Sequence, residues 1–273
     1  MTDVKISDIK KELVAKDKYG FEDLVKVMQV LRSDEGCPWD REQDHHSIRS
    51  NFIEETYEVI EAIDTNDPEL LREELGDVML QIVFHAKMEE EQGSFDVNDV
   101  CSDVCKKLIH RHPHVFGTAQ IESSADVLLV WNQIKNDDKK RVTVSDKLNA
   151  IPPMLPALMR AEKVGNKAKC FDFVDVQSVR DKLSEELCEV DAAISQGDFE
   201  AIEEEIGDLL LTVTSLSRKL SVDPELALKK ATDKFIKRFE ILEKETISRG
   251  IDINSTPMEE LDKIWDELKH KKP

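Results

Sequence analysis

Two stretches decide the fold: EETYEVIEAIDTNDPELLREELGDVML (54–80) and, 131 residues later, EELCEVDAAISQGDFEAIEEEIGDLLL (185–211). They align without a gap, and 13 of their 27 positions are identical. Apolar residues recur in both at three- and four-residue spacing, the period of a helix face and not of a strand. Each stretch is broken once, at Asn66-Asp67-Pro68 and at Gln196-Gly197-Asp198, by residues that favour turns and helix starts. The sequence therefore holds two copies of a helix–turn–helix unit, with each turn short enough to make its helices antiparallel neighbours. At a slightly different offset, Lys107-Leu108-Ile109-His110-Arg111 lies on Lys234-Phe235-Ile236-Lys237-Arg238. The change of offset falls around Glu89–Gly93, where a change in loop length costs little.

The same helical period runs through residues 21–32, 52–64, 69–90, 98–110, 125–136, 178–195, 199–219 and 225–245. No alternating runs rich in β-branched residues interrupt it, so the expected class is all-α, with helix starts at Ser178 and Asp223. Three prolines in Ile151-Pro152-Pro153-Met154-Leu155-Pro156 cannot sit inside a helix. The expected organisation is an extension over 1–20, a first module over 21–145, a linker over 146–156 and a second module over 157–273.

The positions shared by the copies are mostly acids. Glu55 and Glu58 stand three apart on one helix, Glu74 and Asp77 three apart on the next; Glu186, Glu189, Glu205 and Asp208 repeat the arrangement. Residues three apart share a helix face. Four carboxylates in one small volume repel one another unless a proton or a cation neutralises them. An all-oxygen set suits Mg²⁺, with Mn²⁺ as the alternative, because these hard ions keep waters that substrate phosphates can replace. Gly76 and Gly207 precede the last acid of each set, and a helical glycine costs about 1 kcal/mol relative to alanine. Close approach of a neighbouring helix would explain that cost. Lys107/Arg111 and Lys234/Arg238, four apart on a third helix, offer cationic pairs for phosphate. A solvated acidic face explains one such pattern readily; two copies at equal spacing are harder to explain that way.

Composition narrows the partners. With 58 Asp+Glu against 38 Lys+Arg, the 273-residue chain carries a net charge of −20, which repels nucleic acid. The longest apolar stretch, Val78–Ala86, is too short to span a membrane, and the N-terminal residues lack a secretory signal. Five scattered cysteines without a CxxC read as reduced thiols of a cytoplasmic protein. Cys101, Cys105, His110, His112 and His114 fit no standard zinc spacing, and the tryptophans Trp39, Trp131 and Trp265 read as packing anchors.

The doubled EExxE…ExxD pattern resembles the MazG-type nucleoside triphosphate pyrophosphohydrolases. So do Gly36-Cys37-Pro38-Trp39-Asp40 with Gln43, Arg111-His112-Pro113-His114-Val115-Phe116, Trp131-Asn132-Gln133-Ile134-Lys135 and Leu155-Pro156-Ala157-Leu158-Met159-Arg160-Ala161. The resemblance covers residues 21 to 270 and implies hydrolysis of a nucleoside triphosphate to monophosphate and pyrophosphate. It implies that Glu55, Glu58, Glu74 and Asp77 hold Mg²⁺ in the first module and Glu186, Glu189, Glu205 and Asp208 in the second. Glu54 and Glu185 would orient or deprotonate the attacking water. Lys234 and Arg238 would steady the phosphates, with Lys107 and Arg111 as their first-module counterparts. The second module is the expected main catalytic unit, and a homodimer the expected assembly. Two departures fall near the expected nucleotide pocket: Ala231-Thr232-Asp233-Lys234-Phe235 in place of Ala-Asn-x-Lys-Phe, and Cys170-Phe171-Asp172-Phe173 in place of Gly-Phe-Asp-Trp. The competing functions are a narrow dUTP- or dCTP-type pyrophosphohydrolase, and a helical module that binds metal or nucleotide without turnover.

Overall fold

A computed structural model describes residues 5–120 and 123–269. Among these residues there are helices and no strand, in keeping with the all-α expectation. In order they are α1 (Ile6–Val14), α2 (Phe21–Leu31), α3 (Pro38–Glu42), α4 (Arg49–Thr65), α5 (Pro68–Glu91), α6 (Val97–Arg111), α7 (Pro113–Phe116) and α8 (Ser124–Asp138), then α9 (Val144–Asn149), α10 (Ala157–Lys167), α11 (Val176–Gln196), α12 (Phe199–Lys219), α13 (Pro224–Ser248) and α14 (Met258–Lys269), with a 3₁₀ turn at Lys169–Phe171. None of them is long and apolar enough to cross a membrane. The chain divides into two compact units, Met1–Asn132 and Gln133–Pro273, the division falling inside α8.

The duplication visible in the sequence is a duplication of structure. In the first unit α4 packs on α5, and in the second α11 packs on α12. Their connecting turns are built alike. Asn66 (φ 56°) and Gly197 (φ 69°) take the left-handed conformation that lets a chain leave a helix sharply. Asp67 and Asp198 follow as N-caps, each accepting hydrogen bonds from two backbone N–H groups of the next helix. Such a cap contributes about 1 kcal/mol. Only Asn or Gly enters the left-handed region cheaply, which is why the turn tolerates Asn in one copy and Gly in the other.

The core of the first unit gathers Met28, Ile48, Val83, Phe84, Ala86, Met88 and Val97, with Leu24, Val25 and Leu80 packed against it. α1, which the periodicity did not reveal, covers α2 with Ile9 and Leu13 buried. In the second unit α10 packs on both α12 and α13, and α14 on α13. Buried positions there include Ile151, Val179, Ala193, Leu242 and Ile264, with the polar Glu186, Thr212, Thr214 and Thr246.

Two expectations need correction. The N-cap of α11 is Asp175, not Ser178; Asp175 accepts from the Ser178 backbone N–H at 2.8 Å, and Ser178 Oγ accepts from the Asp175 N–H. A reciprocal capping box of this kind places the helix start three residues earlier than the hydroxyl alone suggests. Asp223 does cap α13, accepting from the Leu226 N–H. The close approach expected at Gly76 and Gly207 is absent: a Cβ built on either meets nothing within 4 Å. Gly76→Ala and Gly207→Ala are therefore expected to raise the unfolding free energy by about 1 kcal/mol each, through helix propensity alone. Urea titration measures this; a loss of stability would mean that something covers these positions.

Candidate metal centre

Each repeated helix pair brings carboxylates together from two helices. α4 supplies Glu55 and Glu58 and α5 supplies Glu74; one oxygen from each lies within 4.8 Å of the others. α11 supplies Glu186 and α12 supplies Glu205 and Asp208 under the same limit. The convergence follows from the fold. Acids three apart share a helix face, and the two-residue turn points that face of each helix at the other. The fourth acid of each expected set lies just outside the triad. Asp77 is close enough to act electrostatically on Glu55 and Glu74, and Glu189 on Glu205.

Burial sharpens the repulsion. Glu74 and Glu186 are only 8% and 3% exposed. Burial raises the pKa of Glu55, as do Glu58, which shares a hydrogen bond with it, and the charges of Asp77 and Glu74. Glu74 is raised by burial and by Glu58, Glu73 and Asp77. Glu205 is raised by burial and by Glu189, Glu204, Asp208 and Glu186. A charge that is both desolvated and crowded by like charges is unstable unless a cation compensates it. The donors fit a hard divalent ion: each triad is all oxygen, drawn from two helices, and includes a buried carboxylate.

The two clusters differ in what surrounds them. In the second, Lys182 Nζ lies 2.7 Å from Glu185 Oε1 and 3.1 Å from Glu186 Oε1. Hydrogen bonding to Glu185 and then Glu186 pushes the lysine's pKa up, so it stays charged. Thr212 Oγ1 donates to Glu186 Oε1 at 3.5 Å. Neither Lys182 nor Thr212 was singled out from the sequence. The signal for Lys182 was its place three and four residues before Glu185 and Glu186, a contact spacing on any helix. Glu54 and Glu185, at the heads of the motifs, are exposed.

The cationic pairs on the third helices also diverge. Lys234 and Arg238 are both exposed on α13, next in sequence to Phe235 and Phe239, which line a mostly apolar groove of about 260 Å³ with Leu242, Met258, Leu261, Trp265 and the acid Asp262. Lys107 is exposed on α6, but Arg111 is buried, its guanidinium over the Trp131 ring at 5.5 Å. The altered Cys170–Phe173 segment is tied down by Asp172, which accepts from Arg218 Nη1 and Nη2 at 3.0 and 2.6 Å and from Lys219 Nζ at 3.0 Å. Phe171 beside it is 95% exposed. Cys101 and Cys105, the thiols of the rejected zinc spacing, are exposed on α6.

An all-α chain carrying one acid-lined helix pair in each of two tandem units belongs to a class defined by repetition. The comparisons give that class its family. A family model described as the MazG nucleotide pyrophosphohydrolase domain matches twice, over residues 43–116 and 174–241. The chain is 44% identical over 251 residues to the nucleoside triphosphate pyrophosphohydrolase/pyrophosphatase MazG of Thermotoga maritima, covering 91% of this chain and 95% of that one. It is 41% identical over 251 residues to the nucleoside triphosphate pyrophosphohydrolase of Escherichia coli K12, covering 90% and 95%. The uncharacterized protein YabN of Bacillus subtilis matches 98% of this chain at 37% identity, within 55% of its own length. The protein belongs to the MazG nucleotide pyrophosphohydrolase family.

Proposed function

We propose that the protein hydrolyses nucleoside triphosphates between the α and β phosphorus atoms, giving nucleoside monophosphate and pyrophosphate, as a control on the nucleotide pool. The observation that carries the reading is the convergence of three carboxylates in each helix pair, two of them at equivalent positions: Glu55 and Glu186, Glu74 and Glu205. A Mg²⁺ ion, or Mn²⁺ in its place, would be held by Glu186, Glu189, Glu205 and Asp208 and by Glu55, Glu58, Glu74 and Asp77; bound there, it supplies neutralising charge and Lewis acidity for attack on phosphorus.

The residues of the second module do the rest. Glu185, exposed at the edge of its cluster, orients the attacking water and takes its proton. Lys234 and Arg238 hold phosphate oxygens and stabilise the charge that builds on the leaving pyrophosphate. Their exposure, set against the burial of Arg111 under Trp131, favours the second module as the main catalytic unit. In the first module Glu54 and Lys107 keep the corresponding places. Exposed Leu210, Leu211, Phe235 and Ile236 in the second module, and Ile53, Tyr57 and Met79 in the first, support a homodimer that covers them. The net charge of −20 disfavours nucleic acid as a partner, and the free cysteines suit a reducing cytoplasm.

A panel of ribo- and deoxyribonucleoside triphosphates with Mg²⁺, assayed separately for pyrophosphate and orthophosphate, tests the reading. Pyrophosphate and monophosphate in equal amounts are expected. Orthophosphate as the released product would mean cleavage of the wrong bond, and nucleotide binding without turnover would make the protein a binding module. Turnover confined to one nucleotide would make it a narrow dUTP- or dCTP-type enzyme.

A further inference from the structure

One position separates the two acid clusters. Lys182 stands one turn before Glu186 on α11, and its ammonium lies 2.7 Å from Glu185, 3.1 Å from Glu186 and 3.7 Å from Glu189. The offset of 131 residues puts Asn51, an uncharged amide, at the same place on α4. The foremost charges acting on Glu55 are Asp77, Glu58 and Glu74, and on Glu74 they are Glu58, Glu73 and Asp77, all of them acids.

A second, independent difference lies one layer deeper. Thr212 gives Glu186 a hydroxyl donor. At the corresponding position of the first module stands Gln81, only 7% exposed, whose Oε1 is buried with no donor. Gln81 follows Glu74 by seven residues and Asp77 by four, so it shares their face of α5. On the face of α5 that carries Glu74 and Asp77 there is thus also a buried carbonyl oxygen without a donor. In the second cluster, an ammonium and a hydroxyl already serve Glu186, the buried member of the triad.

We propose that Lys182 is the resident counter-ion of the second cluster, so that the first module takes up a divalent cation ahead of the second in the nucleotide-free protein. The proposal rests on the reading that both clusters hold cations. A cation entering the second site competes with an ammonium for Glu186; among the described residues no lysine or arginine forms an ion pair with Glu55, Glu58 or Glu74. The second module then loads with a ligand that brings its own cation, such as a cation–nucleotide complex, while the first is filled beforehand.

The test is Mn²⁺ binding to the full chain without nucleotide, followed by the electron paramagnetic resonance of the free ion. Wild type is expected to bind one Mn²⁺ tightly and a second about 10–100-fold more weakly, the range over which residues supporting a metal site alter its affinity. K182M should bring the second affinity to within a few-fold of the first. K182R, which keeps the charge, should leave the wild-type pattern, and N51K should weaken the tight site. E58Q should abolish the tight site and so assign it to the first module. Two equal sites in wild type, or a K182M protein with unchanged binding, overturn the proposal while leaving the cation reading intact. Absence of Mn²⁺ binding by both wild type and K182M overturns the cation reading itself, and this proposal with it.

Discussion

Glu205→Gln is expected to lower kcat/KM for nucleoside triphosphate hydrolysis by about 10²–10³-fold, the loss typical of removing one group that stabilises transition-state charge, while the protein melts at an equal or higher temperature. The two halves of this result have one cause. Burial raises the pKa of Glu205, as do the charges of Glu189, Glu204, Asp208 and Glu186. Its charge is therefore a liability to folding by itself, and the neutral amide removes it without changing shape. Sites that keep such a charge trade stability for function. Glu74→Gln should show the same stabilisation, because Glu74 is buried among Glu58, Glu73 and Asp77. Its activity should stay within about threefold of wild type if turnover belongs to the second module, a loss far below that of a catalytic group. Steady-state kinetics beside thermal melts read both effects. A Glu205→Gln protein that is less stable and correspondingly less active would reduce the residue to a structural role.

Asp172→Ala is expected to cost about 3 kcal/mol of unfolding free energy, the scale of removing one partner from a largely desolvated charge network. Its carboxylate accepts from Arg218 and Lys219 at 2.6 to 3.0 Å, and all three side chains are mostly buried. Truncation leaves two neighbouring, mostly buried cations without the carboxylate that bridges them. The network also bridges a loop to the C-terminal end of α12, so its loss frees the Cys170–Phe173 segment from that helix. pH gives an independent reading. Arg218, and then Lys219, hold the Asp172 carboxyl well below its ordinary value of 3.8. A depressed folded-state pKa stabilises fully above the unfolded value and is lost as pH falls through the folded one. The wild-type advantage over Asp172→Ala should accordingly be constant at neutral pH and shrink only below about pH 4. Urea titrations of both proteins between pH 3 and pH 7 measure it.

The sequence carried most of the architecture because the repeat made local signals redundant. Asp67 and Asp198 cap equivalent helices, and each copy vouches for the other. The carboxylate clusters were legible for the same reason: helical spacing fixes a face, and a two-residue turn fixes which faces meet. What stayed hidden depends on contacts between distant residues. α1 is nine residues long, too short to hold in water by itself, and forms by burying Ile9 and Leu13. Arg111 and Arg238 look equivalent along the chain, yet one stacks on Trp131 and the other is exposed. Spacing cannot separate them, because the distinction lies in an aromatic ring 20 residues away. The glycines misled because duplication preserves residues for whatever reason they first arose; open space around Gly76 and Gly207 removes the packing explanation.

The central claim, that the acid clusters serve attack on the α-phosphorus of a nucleoside triphosphate, is tested most directly by isotope position. Hydrolysis run with Mg²⁺ in ¹⁸O-labelled water and followed by phosphorus NMR or mass spectrometry shows which product receives the solvent oxygen. One ¹⁸O in the nucleoside monophosphate and none in the pyrophosphate is the expected result. Label in the pyrophosphate, or in orthophosphate, would place the attack on another phosphorus atom and contradict the account.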